Sequence, residues 1–359
     1  MKSLPNHPFT VAYEGVAPVL KGPLRRSGHG SAVLGRVTLG ANAELGPFAV
    51  LRGDGHVIHV GDEFHLGSHS TVHIAHAIYG TTIGHRVSVG VNAVVHACTV
   101  GDDCVIQDQA LVLDGAVVGS GSVVARGSVV FSRAVLPAGH WCEGVPAVPM
   151  RALEATELAA LHQQTRASAS AAANAPAATR LARPRPGAPG FIAATVTGAG
   201  EARMGADSSL WFGCVLEAAT HGVMIEAGAN VQDNSIMRST QRAVVVGPRC
   251  TVGHNVLLHD CTIGARVLVG MGSVVAPGTV VQDDVLLAAG STTNQGQVLE
   301  SGWLWGGRPA RPIRRLDERK LQLIKVSAAV YCEYAKEFTH TQQLALDLDG
   351  AADAAALST

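Results

Sequence analysis

Rings are scarce in this chain. Aromatic residues make up 4% of its 359 residues, against 47% hydrophobic residues in all, so an ordinary globular core built partly from Phe, Tyr and Trp is not expected. Charge of one sign is missing as well. With 27 Lys and Arg against 28 Asp and Glu, no broad basic field exists to hold nucleic acid or an anionic membrane. No run of roughly 18 apolar residues occurs, and the opening stretch MKSLPNHPFTVAYEG has no apolar segment of signal-peptide length; the expectation is a soluble, cytoplasmic protein. The seven cysteines (Cys98, Cys104, Cys142, Cys214, Cys250, Cys261, Cys332) show no C-x-x-C spacing, so they form no framework and read as reduced core thiols.

What is present is a repeat. Aliphatic residues recur every six positions, often followed by one of the 41 glycines: Leu39-Gly40, Leu45-Gly46, Leu51-Arg52, then Val60-Gly61, Leu66-Gly67, Val72-His73. The series continues with one-residue slips through Ile83, Val89 and Val95 to Val130. A period of six is neither helical nor a simple alternating strand. It fits a short strand plus a tight turn on each face of a three-sided coil, the hexapeptide parallel β-helix, with an inward column of Val, Ile and Leu.

The series then breaks and starts again at Met204-Gly205, Leu210-Trp211 and Leu216-Glu217, running to Leu287. The two halves are copies. Ser88 to Gly101 reads SVGVNAVVHACTVG and Thr251 to Gly264 reads TVGHNVLLHDCTIG. Each series closes on a Pro-rich segment, Glu143 to Leu153 and Gly306 to Leu316, followed by helical sequence. The reading is therefore an all-β solenoid of two β-helix domains, residues 1–166 and 191–345, each with a C-terminal α-helix. Residues 167–190, rich in Ala, Pro, Ser and Arg, read as a flexible linker, and 346–359 as a disordered tail.

The residue just after an inward aliphatic one points outward, which places His73, His96 and His259 on the flank of a coil and His254 at a turn. Surface polarity is one reading of such histidines. The other is a metal site, since catalytic zinc commonly takes three imidazoles and leaves a position for water. Two histidines on one flank cannot complete that shell, so a third must come from a neighbouring prism, and such a site implies side-by-side association.

These motifs resemble the γ-class carbonic anhydrases, whose pattern runs V-L-R-G-D, then N-I-Q-D-G-S-x-x-H, then I-G-H-x-A-x-x-H-G-C-x-I-G. The resemblance covers both halves and implies left-handed coils in trimers, with a zinc site between subunits that hydrates carbon dioxide reversibly. The first half keeps Val50 to Asp54 and the first and third ligands, His73 and His96, but has Val91 at the second. The second half keeps Gln232 and Asp233 and the second and third ligands, His254 and His259, but has Arg238 at the first. Neither half is complete alone.

Carried across halves, the resemblance implies one full shell of His73, His96 and His254, with Arg52 meeting Asp233 at the junction and Asp54 among the interface residues. The mirror junction of Arg238, His259 and Val91 cannot hold zinc, which makes His259 a relic. Gln232 resembles the residue that orients the zinc hydroxide. Tyr331 sits where the family often has an active-site tyrosine, or else is a helix aromatic packed on the coil. The implied metal is zinc, although three imidazoles also accept iron or cobalt.

The implied substrate is carbon dioxide or bicarbonate, and the implied assembly is a homo-oligomer with three-fold or pseudo-three-fold packing of half-domains. A catalytically silent scaffold of the same fold is the rival reading. Acyl transfer from coenzyme A is a third, on fold analogy alone. The remaining histidines of the first half, His56, His59, His65, His69, His76 and His85, are expected at the surface, with His76 and His85 as local substitutes for the missing ligand.

Overall fold

The computed structural model describes residues 7–172 and 190–356. Two parallel β-solenoids lie side by side. In the first, the strands stack coil upon coil in exact register, Leu51 on Val72, Val72 on Val95, Val95 on Val112 and Val112 on Val130. In the second, the matching column is Leu216, Met237, Leu258 and Val275. All of these side chains are fully or almost fully buried. Strands two or three residues long suffice because their backbone groups bond to the coils above and below.

The corners need left-handed backbone, supplied by Gly at many of them and by Asn, Asp, Arg and other residues at the rest. Asn92, Asn234 and Asn255 have φ of 54°, 58° and 56°, a conformation Asn tolerates better than most side chains. Each solenoid is closed by an antiparallel hairpin, His140–Gly144 with Ala147–Ala152 and Trp303–Gly307 with Ala310–Arg315. These are the two Pro-rich segments.

The helices that follow sit in different places. Helix α1 (Ala155–Ala172) packs Leu158 and Leu161 on Val105 and Val123, on an outer face of the first solenoid. Helix α2 (Glu318–Ala356) instead lies along the seam between the solenoids. Eight of the chain's fifteen Phe, Tyr and Trp residues collect there: Tyr331, Tyr334 and Phe338 of α2 pack with Phe9 and Tyr13 of the first half and with Phe191, Trp211 and Phe212 of the second. The columns are mostly aliphatic, with Phe64 in the first core and Trp305 stacked on Leu287 in the second, whereas the seam between them is aromatic.

Three sequence expectations change. Helix α1 continues through Ala172, into the stretch expected to be a linker from residue 167, and residues 173–189 lie outside the described residues. Helix α2 runs to Ala356 rather than ending near 345. Both extensions are rich in Ala, the strongest helix former, which needs no apolar period. His65, expected at the surface, is 1% exposed; its strand neighbour Ser88 is covered by His162 and Arg166 of α1, so the same face is roofed by the helix. All seven cysteines are free thiols, six of them buried. No helix among the described residues is long and apolar enough to cross a membrane.

Candidate metal centre

His73 ends the strand Thr71–His73, His96 ends Val94–His96, and the two are direct register partners one coil apart. Identical phase in successive coils puts both imidazoles on one flank. The second solenoid brings His254 to the same point from its turn after Thr251–Val252. The third histidine is thus brought by the other half of the same chain. His73 Nδ1 lies 3.2 Å from His96 Nε2 and 3.1 Å from His254 Nε2, and the three ligand atoms all fall within 4.8 Å of one another. Neighbouring ligands about tetrahedral zinc, with Zn–N of about 2.0–2.1 Å, stand roughly 3.3 Å apart.

Each imidazole turns its other nitrogen to a carboxylate. His73 Nε2 is 3.0 Å from Asp54 Oδ1, His96 Nδ1 is 2.6 Å from Asp114 Oδ1, and His254 Nδ1 is 3.1 Å from Asp233 Oδ2. A proton on each outer nitrogen leaves three lone pairs converging on one point. In that tautomer no donor lies among them, and a cation would satisfy all three at once. Outer-shell carboxylates of this kind fix tautomer and ring orientation at metal sites.

Charge supports the same fit. Asp54, Asp233 and Arg52 are fully buried, so two carboxylates face one guanidinium and negative charge is left in surplus next to the imidazoles. Arg52 bonds Asp54 within its own solenoid, donates from Nε to Asp233 Oδ2 at 3.0 Å across the seam, and donates from Nη2 to the Tyr331 hydroxyl at 3.0 Å. Its guanidinium also lies 4.2 Å from the Trp211 ring centre.

Burial sets the protonation of the group. It pushes the His73 imidazole well down, helped by Arg52, and holds His254 at about 4 despite the nearby Asp233. Both are therefore neutral ligands at neutral pH. Burial opposes ionisation of Asp233, yet Arg52 and His254 outweigh it and bring that carboxyl to about 2. For Asp54 burial wins and its carboxyl is raised. Burial likewise raises Tyr331, which stays a neutral hydroxyl.

The other expected residues separate cleanly. Gln232 is buried on the wall of the cavity that opens on His73 and His96, its amide nitrogen 3.3 Å from Asn230 Oδ1. Tyr331 lines that cavity too while packing edge-on against Trp211. Asp54 bonds Arg52 and His73 of its own half, and the hydrogen bond that crosses the seam runs from Arg52 to Asp233. His259 is apart from the cluster, 3.2 Å from Thr240 Oγ1 and beside Arg238, which is paired with Glu217. His76 reaches the cavity mouth, where its Nδ1 is 2.5 Å from the Tyr334 hydroxyl, and His85 faces Asp62.

Some contributors escape a motif-based reading. Asp114 stands one coil beyond His96, so the 18-residue spacing could have found it. The seam itself is held by Asn234, which donates to Thr71 Oγ1 at 3.0 Å, and by Asn255, which donates to the His69 carbonyl at 2.6 Å and Asn92 Oδ1 at 2.7 Å.

Comparison with known proteins agrees with this geometry. No family model matches the chain. It is 39% identical over 147 residues to protein YrdA of Escherichia coli, covering 39% of this chain and 80% of that one. It is 33% identical over 153 residues to the mitochondrial γ-carbonic anhydrase 1 of Arabidopsis thaliana, 41% of this chain and 56% of the relative. The chain belongs to the γ-carbonic-anhydrase-like hexapeptide-repeat family. Within it, this member is a tandem of two solenoids. It spans only a little over half the length of the Arabidopsis relatives, 56% and 55%. A solved structure of a putative acetyltransferase from Desulfovibrio desulfuricans covers 92% of this chain at 14% identity with a TM-score of 0.55, a likeness of fold alone.

Proposed function

We propose that this chain is a zinc enzyme catalysing the reversible hydration of carbon dioxide at one composite centre formed by its two halves. The observation that carries the reading is the convergence of three imidazole nitrogens, each backed by its own carboxylate. When bound, zinc supplies Lewis acidity that brings the pKa of water to about 7.

The rest falls to the chain. His73, His96 and His254 hold the ion with their lone pairs, and Asp54, Asp114 and Asp233 keep the outer nitrogens protonated. Gln232, on the cavity wall beside them, orients the water through its amide. Aliphatic walls favour uncharged carbon dioxide over ions at the approach. Tyr331 keeps Arg52 in place and presents a hydroxyl to the cavity.

Under this reading residues 1–166 and 191–345 are two domains that share one site, and chains associate into homo-oligomers with pseudo-three-fold packing of half-domains. Solution mass tests the assembly. Stopped-flow hydration of carbon dioxide by zinc-loaded protein tests the activity, with loss of at least 100-fold expected in His254→Ala. Zinc-loaded protein without hydration activity would instead favour the scaffold.

A further inference from the structure

We propose that the cavity above the histidines binds a medium-chain acyl compound, a carboxylate or ester with an aliphatic or aromatic tail, seated with its carboxyl end toward His73 and His96. The proposal rests on the reading of the site as a metal centre only for the polar end of the ligand.

Size is the first argument. The cavity holds about 440 Å³, within the range of pockets that enclose whole drug-sized ligands, roughly 300–1,000 Å³. Carbon dioxide and bicarbonate have no tail to occupy it.

The distribution of polarity is the second. His73, His96 and Gln232 are gathered at the inner end, whereas the walls are largely aliphatic: Leu113 from the first solenoid, Met271 and Leu286 from the second, and Leu323, Val326 and Val330 from α2. The three α2 residues are spaced i, i+3 and i+7, one helix face, and they are directed at the cavity. Leu323 and Val326 remain 46% exposed each, and Ile78, at the rim, is 70% exposed. A polar floor beneath an apolar shaft with an uncovered apolar rim matches an amphiphile bound head inward.

The third argument is that the shaft is built deliberately by three separate pieces. The excursion between His73 and Thr81 carries Ile78 to the rim and is tied to α2 by His76 and Tyr334. The corresponding turn after Arg238 in the second half is two residues shorter. Helix α2 reaches this wall because it lies in the seam, a position α1 does not share.

Calorimetric titration of the full chain with acetate, butyrate, hexanoate and octanoate, and with the matching primary alcohols, tests the assignment. Both series should tighten about three- to fourfold per methylene until the tail reaches the rim. Val326→Trp, at an exposed position, should weaken octanoate at least tenfold and leave acetate, zinc content and melting temperature unchanged. Affinity independent of chain length, or octanoate binding unaltered by Val326→Trp, overturns the proposal. Zinc content measured on the same samples separates the two claims: zinc-free protein that still prefers octanol to butanol keeps the cavity and refutes the metal centre, and zinc-loaded protein with a flat series does the reverse.

Discussion

Arg52 of the first solenoid and Asp233 of the second form a fully buried ion pair, 2.9 Å at its closest, directly behind the histidine cluster. Asp233 at the same time faces His254, so the contact that joins the halves also orients the ligand that crosses between them.

Arg52→Met should therefore cost far more than a surface charge does. It strands Asp54 and Asp233 in the seam without their cation, and breaking a buried pair typically costs about 3–5 kcal/mol. The stacking of the guanidinium on Trp211 is lost too. Urea denaturation should show this loss, together with weaker zinc retention, whereas Arg238→Met, in its half-exposed pair with Glu217, should shift stability by about 1 kcal/mol or less.

Asp114→Asn tests the outer shell without touching a ligand. The variant leaves His96 Nδ1 beside an amide in place of a carboxylate 2.6 Å away. Zinc affinity, read by chelator competition, should fall about 10- to 100-fold while the fold is kept.

Asn255→Ala removes three seam hydrogen bonds, to His69, Asn92 and Thr71, next to His254. It also places Ala at φ 56°, which L side chains with no local hydrogen bond disfavour. Both effects act on the presentation of His254, so zinc affinity should drop along with the unfolding midpoint.

Metal-stripped protein should lose stability in mild acid. Burial holds the folded-state pKa of His254 at about 4, below its usual value of 6.5, and lowers that of His73 well below the same value. The unfolded chain thus binds protons first as pH falls. Stability is fully present above about 6.5, declines as pH falls toward 4, and the His254 contribution to the decline levels off below that. Denaturation midpoints of stripped protein between pH 7 and 4 measure it, and His254→Gln should flatten the curve.

Much of the fold was legible because a six-residue period constrains every coil: Leu51, Val72 and Val95 follow one another in sequence phase and in space. The convergence of His73, His96 and His254 was legible because the two halves depart from the family pattern at different histidines, with Val91 in one and Arg238 in the other. What was not legible depends on the path of α2. No local pattern says that Tyr331 and Tyr334 lie in the seam while the equivalent helix α1 roofs His65 on another face, and no motif marks corner asparagines as the glue between halves. The residues around the metal ligands are cross-solenoid neighbours separated by more than 160 positions, and a repeat period carries no information about such distant pairs.

Zinc per chain in wild type, His73→Ala, His254→Ala and His259→Ala, by mass spectrometry of native protein purified without added metal, tests the shared centre most directly. One zinc in wild type and in His259→Ala, and none in either His73→Ala or His254→Ala, is the predicted pattern. Zinc kept in His254→Ala, or lost in His259→Ala, would contradict it.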